Sequence, residues 1–181
     1  MPFNVSNFKA NLVNEGARGT LFDVVIPNIY LNNKNLEFRC KAAQLPASTL
    51  GIIEVPYFGR KIKVPGDRTF AEWTITVIND ESFAIRSALE SWSNQINQHI
   101  GNQRVDPNYK NQNAVVTQYA KDGSPLKQYS MVNIWPSEVA AIDLSWETND
   151  TIEEYTVTLQ YDYWTVVNQG IAAAVTQPPA E

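Results

Sequence analysis

Hydrophobic and polar residues along this chain follow two periods. Most of it alternates with the period of two that marks strands, and one stretch repeats at the 3.6-residue period of a helix. Thr20–Pro27 sets Phe22, Val24 and Ile26 against Leu21, Asp23 and Val25, apolar on both faces as in a strand covered from each side. Leu36–Leu45 reads as a half-buried strand with a wet face, and Phe70–Ile78 places Trp73, Ile75 and Val77 opposite Thr74 and Thr76. The purest alternation runs from Glu153 to Trp164: Tyr155, Val157, Leu159, Tyr161 and Tyr163 take one face, and Glu154, Thr156, Thr158, Gln160 and Asp162 take the other. As a single strand it would span roughly 40 Å at about 3.3 Å per residue.

The helical period sits between these strands. Ile85, Ala88, Leu89, Trp92, Ile96 and Ile100 build one apolar stripe, predicting a helix over about 80–100. Asn79 and Asp80 precede it as N-cap candidates and Gly101 follows as a C-cap candidate. Asp122-Gly123, between Ala114–Ala120 and Leu126–Pro136, is a hairpin signal. The expected fold is mainly β: two packed antiparallel sheets forming a sandwich or small barrel, with one flanking helix. A chain of 181 residues fits one domain over 1–181, with a loosely held tail at about 168–181.

One segment resists this scheme. Pro46–Thr69 is too long for an ordinary connection, is punctuated by Pro56, Gly59, Pro65 and Gly66, and holds only the short β-like pieces IIEV and KIKV. It carries the aromatic pair Tyr57 and Phe58 beside the cations Arg60, Lys61, Lys63 and Arg68. A pinned loop this apolar and this charged is expected to contact another molecule. All fourteen Lys and Arg lie at or before Lys127, whereas eight carboxylates follow it, so the chain has a basic-leaning front and an acidic back. Opposite patches of this kind favour contact between copies.

Composition narrows the chemistry. Cys40 is the single cysteine and His99 the single histidine, so an intrachain disulfide, a thiolate metal site and a multi-histidine site are excluded within one chain. No GxSxG elbow, P-loop or GxGxxG is present. Glu153 and Glu154, adjacent on a strand, point to opposite faces and cannot act together on one substrate. No enzyme activity, cofactor or metal is expected. One modest basic cluster on a chain of net charge -5 also fits protein contact better than nucleic-acid binding. The start lacks the charged region and apolar run of a secretory signal, which reads as a soluble protein made in a cytoplasm.

Together, ARGTLFDVVIP, FRCKAAQLPASTLG, VPYFGRKIKVPGDRTFAEWTITVINDESFAIRSALESW and SEVAAIDLSWETNDTIEEYTVTLQYDYW resemble the tail tube proteins of large contractile-tailed bacteriophages, which are related to pyocin tubes and to Hcp of type VI secretion. The resemblance covers nearly the whole chain. It implies a structural subunit forming hexameric rings that stack into a hollow tube, driven through the host envelope on sheath contraction and conducting DNA without binding it specifically. The implied partners are the chain itself, the tail sheath protein, and baseplate and tail terminator proteins; the implied location is the virion tail, assembled in the host cytoplasm. A baseplate tube initiator, an Hcp-type secretion component and a monomeric β-sandwich binding module are the alternatives. On this basis Tyr57, Phe58, Arg60, Lys61, Lys63 and Arg68 are candidate assembly residues, and Glu154, Thr156, Thr158, Gln160 and Asp162 are candidates for facing a lumen of polar to acidic character.

Overall fold

The computed structural model describes residues 11–12, 16–27, 31, 36–104, 107–110, 112–147 and 149–169. Its elements run β1 (Phe22–Val25), α1 (Leu36–Arg39), β2 (Cys40–Ala43), β3 (Ser48–Tyr57), β4 (Arg60–Phe70), β5 (Trp73–Ile78), α2 (Ala84–Ile96), β6 (Asn113–Tyr119), β7 (Pro125–Val132), β8 (Trp135–Val139), β9 (Glu154–Gln160) and β10 (Tyr163–Gln169). The expected tail lies outside the described residues from position 170 onward.

Alternation dictates the layers. One antiparallel sheet has the order β1-β6-β7-β10 and buries Val24, Ala114, Val116 and Met131. The second, β2-β5-β9-β8, buries Trp73, Ile75 and Val77 on β5 and Tyr155, Val157 and Leu159 on β9. These inner faces meet in a single core, which α2 completes with Ile85, Ala88, Leu89 and Trp92. Both sheets end in free edge strands among the described residues, so the arrangement is an open sandwich rather than a closed barrel. The Asp122-Gly123 turn forms as the sequence predicts: β6 and β7 pair across it, Gly123 takes φ 83, and the Asp122 carboxylate accepts the Ser124 N–H at 2.9 Å.

Several boundaries depart from the sequence pattern. Leu36–Arg39 is one helical turn and only Cys40–Ala43 is strand, because Leu36 inserts into the core and Arg39 is held 2.8 Å from the Asp80 carboxylate. The helix starts at Ala84, behind Phe83 at φ 51, and has no side-chain cap. Asn79 is instead committed to the sheet, donating its backbone N–H to the Glu153 carbonyl and its side-chain amide to the Glu153 carboxylate, each at 2.8 Å. The helix ends at Ile96, where Asn97 turns extended, so Ile100 is fully exposed and Gly101 lies beyond the cap.

The two longest predicted strands are each divided between the sheets. Leu126–Pro136 breaks at Asn133, which takes φ 60, and passes from β7 in one sheet to β8 in the other. Glu153–Trp164 breaks at Tyr161–Asp162, passing from β9 back to β10. The breaks are adjacent in space: the Asp162 N–H donates to the Val132 carbonyl at 3.0 Å, and the Asn133 amide donates to the Asp162 carboxylate at 2.7 Å. A 12-residue alternation cannot continue past the edge of its own sheet without exposing Tyr161 and Trp164. Crossing over keeps both partly buried against the core.

Tyr155 illustrates the cost of a polar group in this core. Its ring lies 5.2 Å from the Arg86 guanidinium, and its hydroxyl has no hydrogen-bond partner among the described residues. Burial pushes the phenol up to about 12, with the Arg86 charge opposing the shift. An unfolded tyrosine ionises near pH 10. Below that pH both states keep the proton; above it the unfolded state sheds its proton first, so stability falls as pH rises from about 10 to 12. Tyr155→Phe is expected to leave stability at pH 7 unchanged or slightly raised and to make this alkaline decline shallower, measured by urea midpoints at pH 9 and 11.

Candidate functional site

The segment expected to be a loop is a β-hairpin. β3 and β4 pair along almost their whole length and form a two-stranded sheet that joins neither layer of the sandwich. Phe58 and Gly59 close its tip at φ 42 and φ 77, the two left-handed residues of a tight hairpin turn. The sequence signals read as loop punctuation have strand roles. Pro56 and Pro65 lie on strands that have no further partner among the described residues, where a missing N–H costs nothing, and Gly51 and Gly66 lie at a bulge where the strands pass closely. A Cβ on Gly51 would stand 3.1 Å from the Asp67 carbonyl oxygen.

Register sorts the hairpin into two faces. The pairs Ile53 with Val64, Val55 with Ile62 and Tyr57 with Arg60 share one face, and Glu54 with Lys63 and Pro56 with Lys61 share the other. The first face is an apolar stripe ending in a cation, and each of its apolar residues is at least 41 % exposed. Phe58 stands at the tip, 90 % exposed, with its ring edge-on to Tyr57 at 4.6 Å. On the second face Lys61 pairs with Glu54 at 2.7 Å, and nearer the base Arg68 donates to the Ser48 hydroxyl at 3.1 Å. Arg60 and Lys63 have no ionic partner among the described residues.

The hairpin is free at its tip and fixed at its root. The Trp73 indole donates to the Gln44 carbonyl at 2.7 Å, the Trp164 indole to the Ala47 carbonyl at 3.3 Å, and the Phe70 ring meets Tyr161 at 6.2 Å. All six assembly candidates therefore lie on this one projection: Tyr57 and Arg60 on the apolar face, Phe58 at the tip, Lys61 and Lys63 on the charged face, and Arg68 near the base. Ile53, Val55, Ile62 and Val64 were not singled out from the sequence; the alternation within IIEV and KIKV is the signal that carries them.

The second candidate surface is the outer face of the β2-β5-β9-β8 sheet. Tyr155, Val157 and Leu159 point into the core, which turns Glu154, Thr156, Thr158 and Gln160 outward. Asp162 does not join them; it lies beyond β9 in the link to the other sheet, 3.6 Å from the Lys110 ammonium. Register places Thr74 beside Thr158, Thr76 beside Thr156, and Glu138 on the far side of Thr158. Gln160 donates to the Glu72 carboxylate at 3.3 Å, and Lys41 forms an ion pair with Glu154. The wall is thus threonine-rich, with three carboxylates to one ammonium. Thr74 and Thr76 belong to it because β5 and β9 are neighbours, a pairing that alternation alone does not specify. His99 lies elsewhere, on the wall of an open cleft of about 650 Å³ between the end of α2 and the start of β8.

Residues 3–167 match the family described as phage tail tube protein. The chain is 40% identical to the tail tube protein gp19 of Enterobacteria phage T4 over 153 residues, covering 82% of this chain and 90% of that protein. The tail tube protein of Serratia phage KSP90 is 27% identical over 117 residues, 64% of this chain and 66% of the relative. Among solved structures, the fold is shared with the tube terminating cap of the anti-feeding prophage, at TM-score 0.65 and 18% identity over 84% of this chain and 91% of that one. It is shared also with the sheath-tube complex of an extracellular contractile injection system, at TM-score 0.60 and 16% identity over 91% of this chain and 97% of that one. An open sandwich with a projecting hairpin, matched over almost its full length, belongs to the phage tail tube protein family.

Proposed function

We propose that the chain is the structural subunit of the inner tube of a contractile phage tail, and that its copies associate as hexameric rings stacked into a hollow tube. The observation that carries this reading is the hairpin: an apolar, rooted projection whose stripe is left exposed by the described residues of its own protomer. Exposed apolar faces of this kind mark contact sites, and free edge strands favour pairing with neighbours. The threonine and glutamate wall on β5 and β9 suits a water-filled lumen. Its excess of carboxylates would repel a polyanion, so DNA would pass without the counterion exchange that holds it to basic surfaces. In this reading the tail sheath, baseplate and terminator proteins are the further partners, the tube is assembled in the host cytoplasm, and it meets the host envelope during ejection.

Negative-stain microscopy of the purified protein over a range of concentrations tests the proposal. Long hollow tubes are expected. Isolated rings would favour a secretion-type ring component, and persistent monomers a binding module. Deleting Tyr57–Lys63 is expected to leave a folded monomer that forms no tubes; tubes of normal length from this variant would remove the hairpin from the assembly mechanism.

A further inference from the structure

A second exposed apolar surface lies far from the hairpin. Between β8 and β9 the chain runs through AIDLSWETNDTI, in which Leu144 is 81 %, Trp146 99 % and Ile152 71 % exposed. The same stretch carries Asp143, Glu147 and Asp150 and has no Lys or Arg. None of these three carboxylates has an ionic partner among the described residues. An indole left in water beside unpaired carboxylates is the complement of the hairpin's apolar face, where Val55, Tyr57 and Ile62 stand beside the unpaired Arg60.

Register fixes where the two surfaces lie. β5 enters at Trp73, just after the hairpin, and pairs there with Leu159 at the far end of β9; its other end, Ile78, pairs with Glu154, where β9 begins. The hairpin therefore leaves one end of this sheet and the acidic segment closes the opposite end, separated by the six residues of β5, roughly 20 Å at about 3.3 Å per residue. A protomer with complementary patches at opposite poles makes a heterologous contact, one that repeats from copy to copy instead of closing as a dimer.

We infer that residues 141–147 with Asp150 and Ile152 form the docking surface for the hairpin of a second copy of this chain, with Trp146 and Leu144 covering the apolar stripe and Asp143, Glu147 and Asp150 facing Arg60, the cation that shares the stripe's face. This contact rests on the tube reading above and assigns the head-to-tail joint between rings. Its ionic part is screened by salt, so assembly should weaken as ionic strength rises.

Charge reversal and cross-linking test it together. Arg60→Glu, and separately Asp143→Lys with Glu147→Lys, are each expected to lower the sedimentable polymer at least tenfold at low salt, while circular dichroism shows folded protein. The combination of all three substitutions is expected to recover polymer. In a Cys40→Ser background, Phe58→Cys with Trp146→Cys should give an oxidised ladder of multimers in denaturing gels, and either cysteine alone no ladder. Loss of polymer in the hairpin variant with normal polymer in the acidic-segment variant, or polymer without a ladder, would place the docking surface elsewhere and leave the hairpin's role standing. Normal polymer from both charge variants, together with normal tubes from the hairpin deletion, would overturn the hairpin's role itself.

Discussion

Val55→Asp combined with Ile62→Asp is expected to abolish tube formation while leaving the protomer as stable as the wild type. The two residues face each other across the hairpin, 46 % and 53 % exposed, so carboxylates there meet water in the isolated chain and disturb no core. In an assembled tube the same positions would be covered, and an unpaired carboxylate brought into an apolar contact costs several kcal/mol. Even about 3 kcal/mol per joint corresponds to roughly a hundredfold weaker association. A tube multiplies that loss over every joint. Sedimentation and urea unfolding on the same preparation would separate the effects: polymer should vanish with the unfolding midpoint unmoved. A lowered midpoint would mean that the hairpin supports the sandwich.

Trp73→Ala is expected to act in the opposite way, through the fold. Trp73 is 1 % exposed on a central strand, packs into the shared core and donates its indole N–H to Gln44 at the root of the hairpin. Truncating a buried tryptophan costs about 3–5 kcal/mol in lost transfer and residual cavity. That is a large part of the roughly 5–15 kcal/mol that stabilises a typical domain. A sharp fall in soluble yield and in the urea midpoint should follow. Trp73→Phe, which retains most of the packing but removes the donor, should lose far less; an equally large loss would assign the effect to the hydrogen bond.

The core faces were legible because burial enforces period two: Trp73, Ile75 and Val77 against Thr74 and Thr76, and Tyr155, Val157 and Leu159 against Glu154, Thr156 and Thr158, sit as the alternation requires. The stripe Ile85, Ala88, Leu89 and Trp92 was legible for the same reason. What alternation cannot register is a change of sheet, since a strand keeps its inside and outside residues whichever sheet it joins. Glu153–Trp164 therefore looked like one strand, and Asp162 was grouped with residues from which the crossover separates it. The helix ends failed for a different reason: Asn79 is a good cap locally, but its side chain is held by Glu153, 74 positions away. The hairpin hid because Pro and Gly ordinarily interrupt strands, a rule that relaxes when both strands lie outside the main sheets. Its candidate contact residues were half legible, the aromatic and cationic ones by chemistry and the aliphatic ones only once pairing gave them a common face.

The paired crossovers at Asn133 and Asp162 have a mechanical consequence. Two packed sheets joined only by side chains can slide over each other under load, because packing contacts re-form after a small displacement. Here continuous backbone passes between the sheets twice at one place, and the Asn133–Asp162 and Asp162–Val132 hydrogen bonds fasten the two passages to each other. Thrust on one layer of a protomer is then handed to the other through covalent bonds. In the tube proposed above, driven along its axis, such a subunit would transmit force where a simple sandwich would shear.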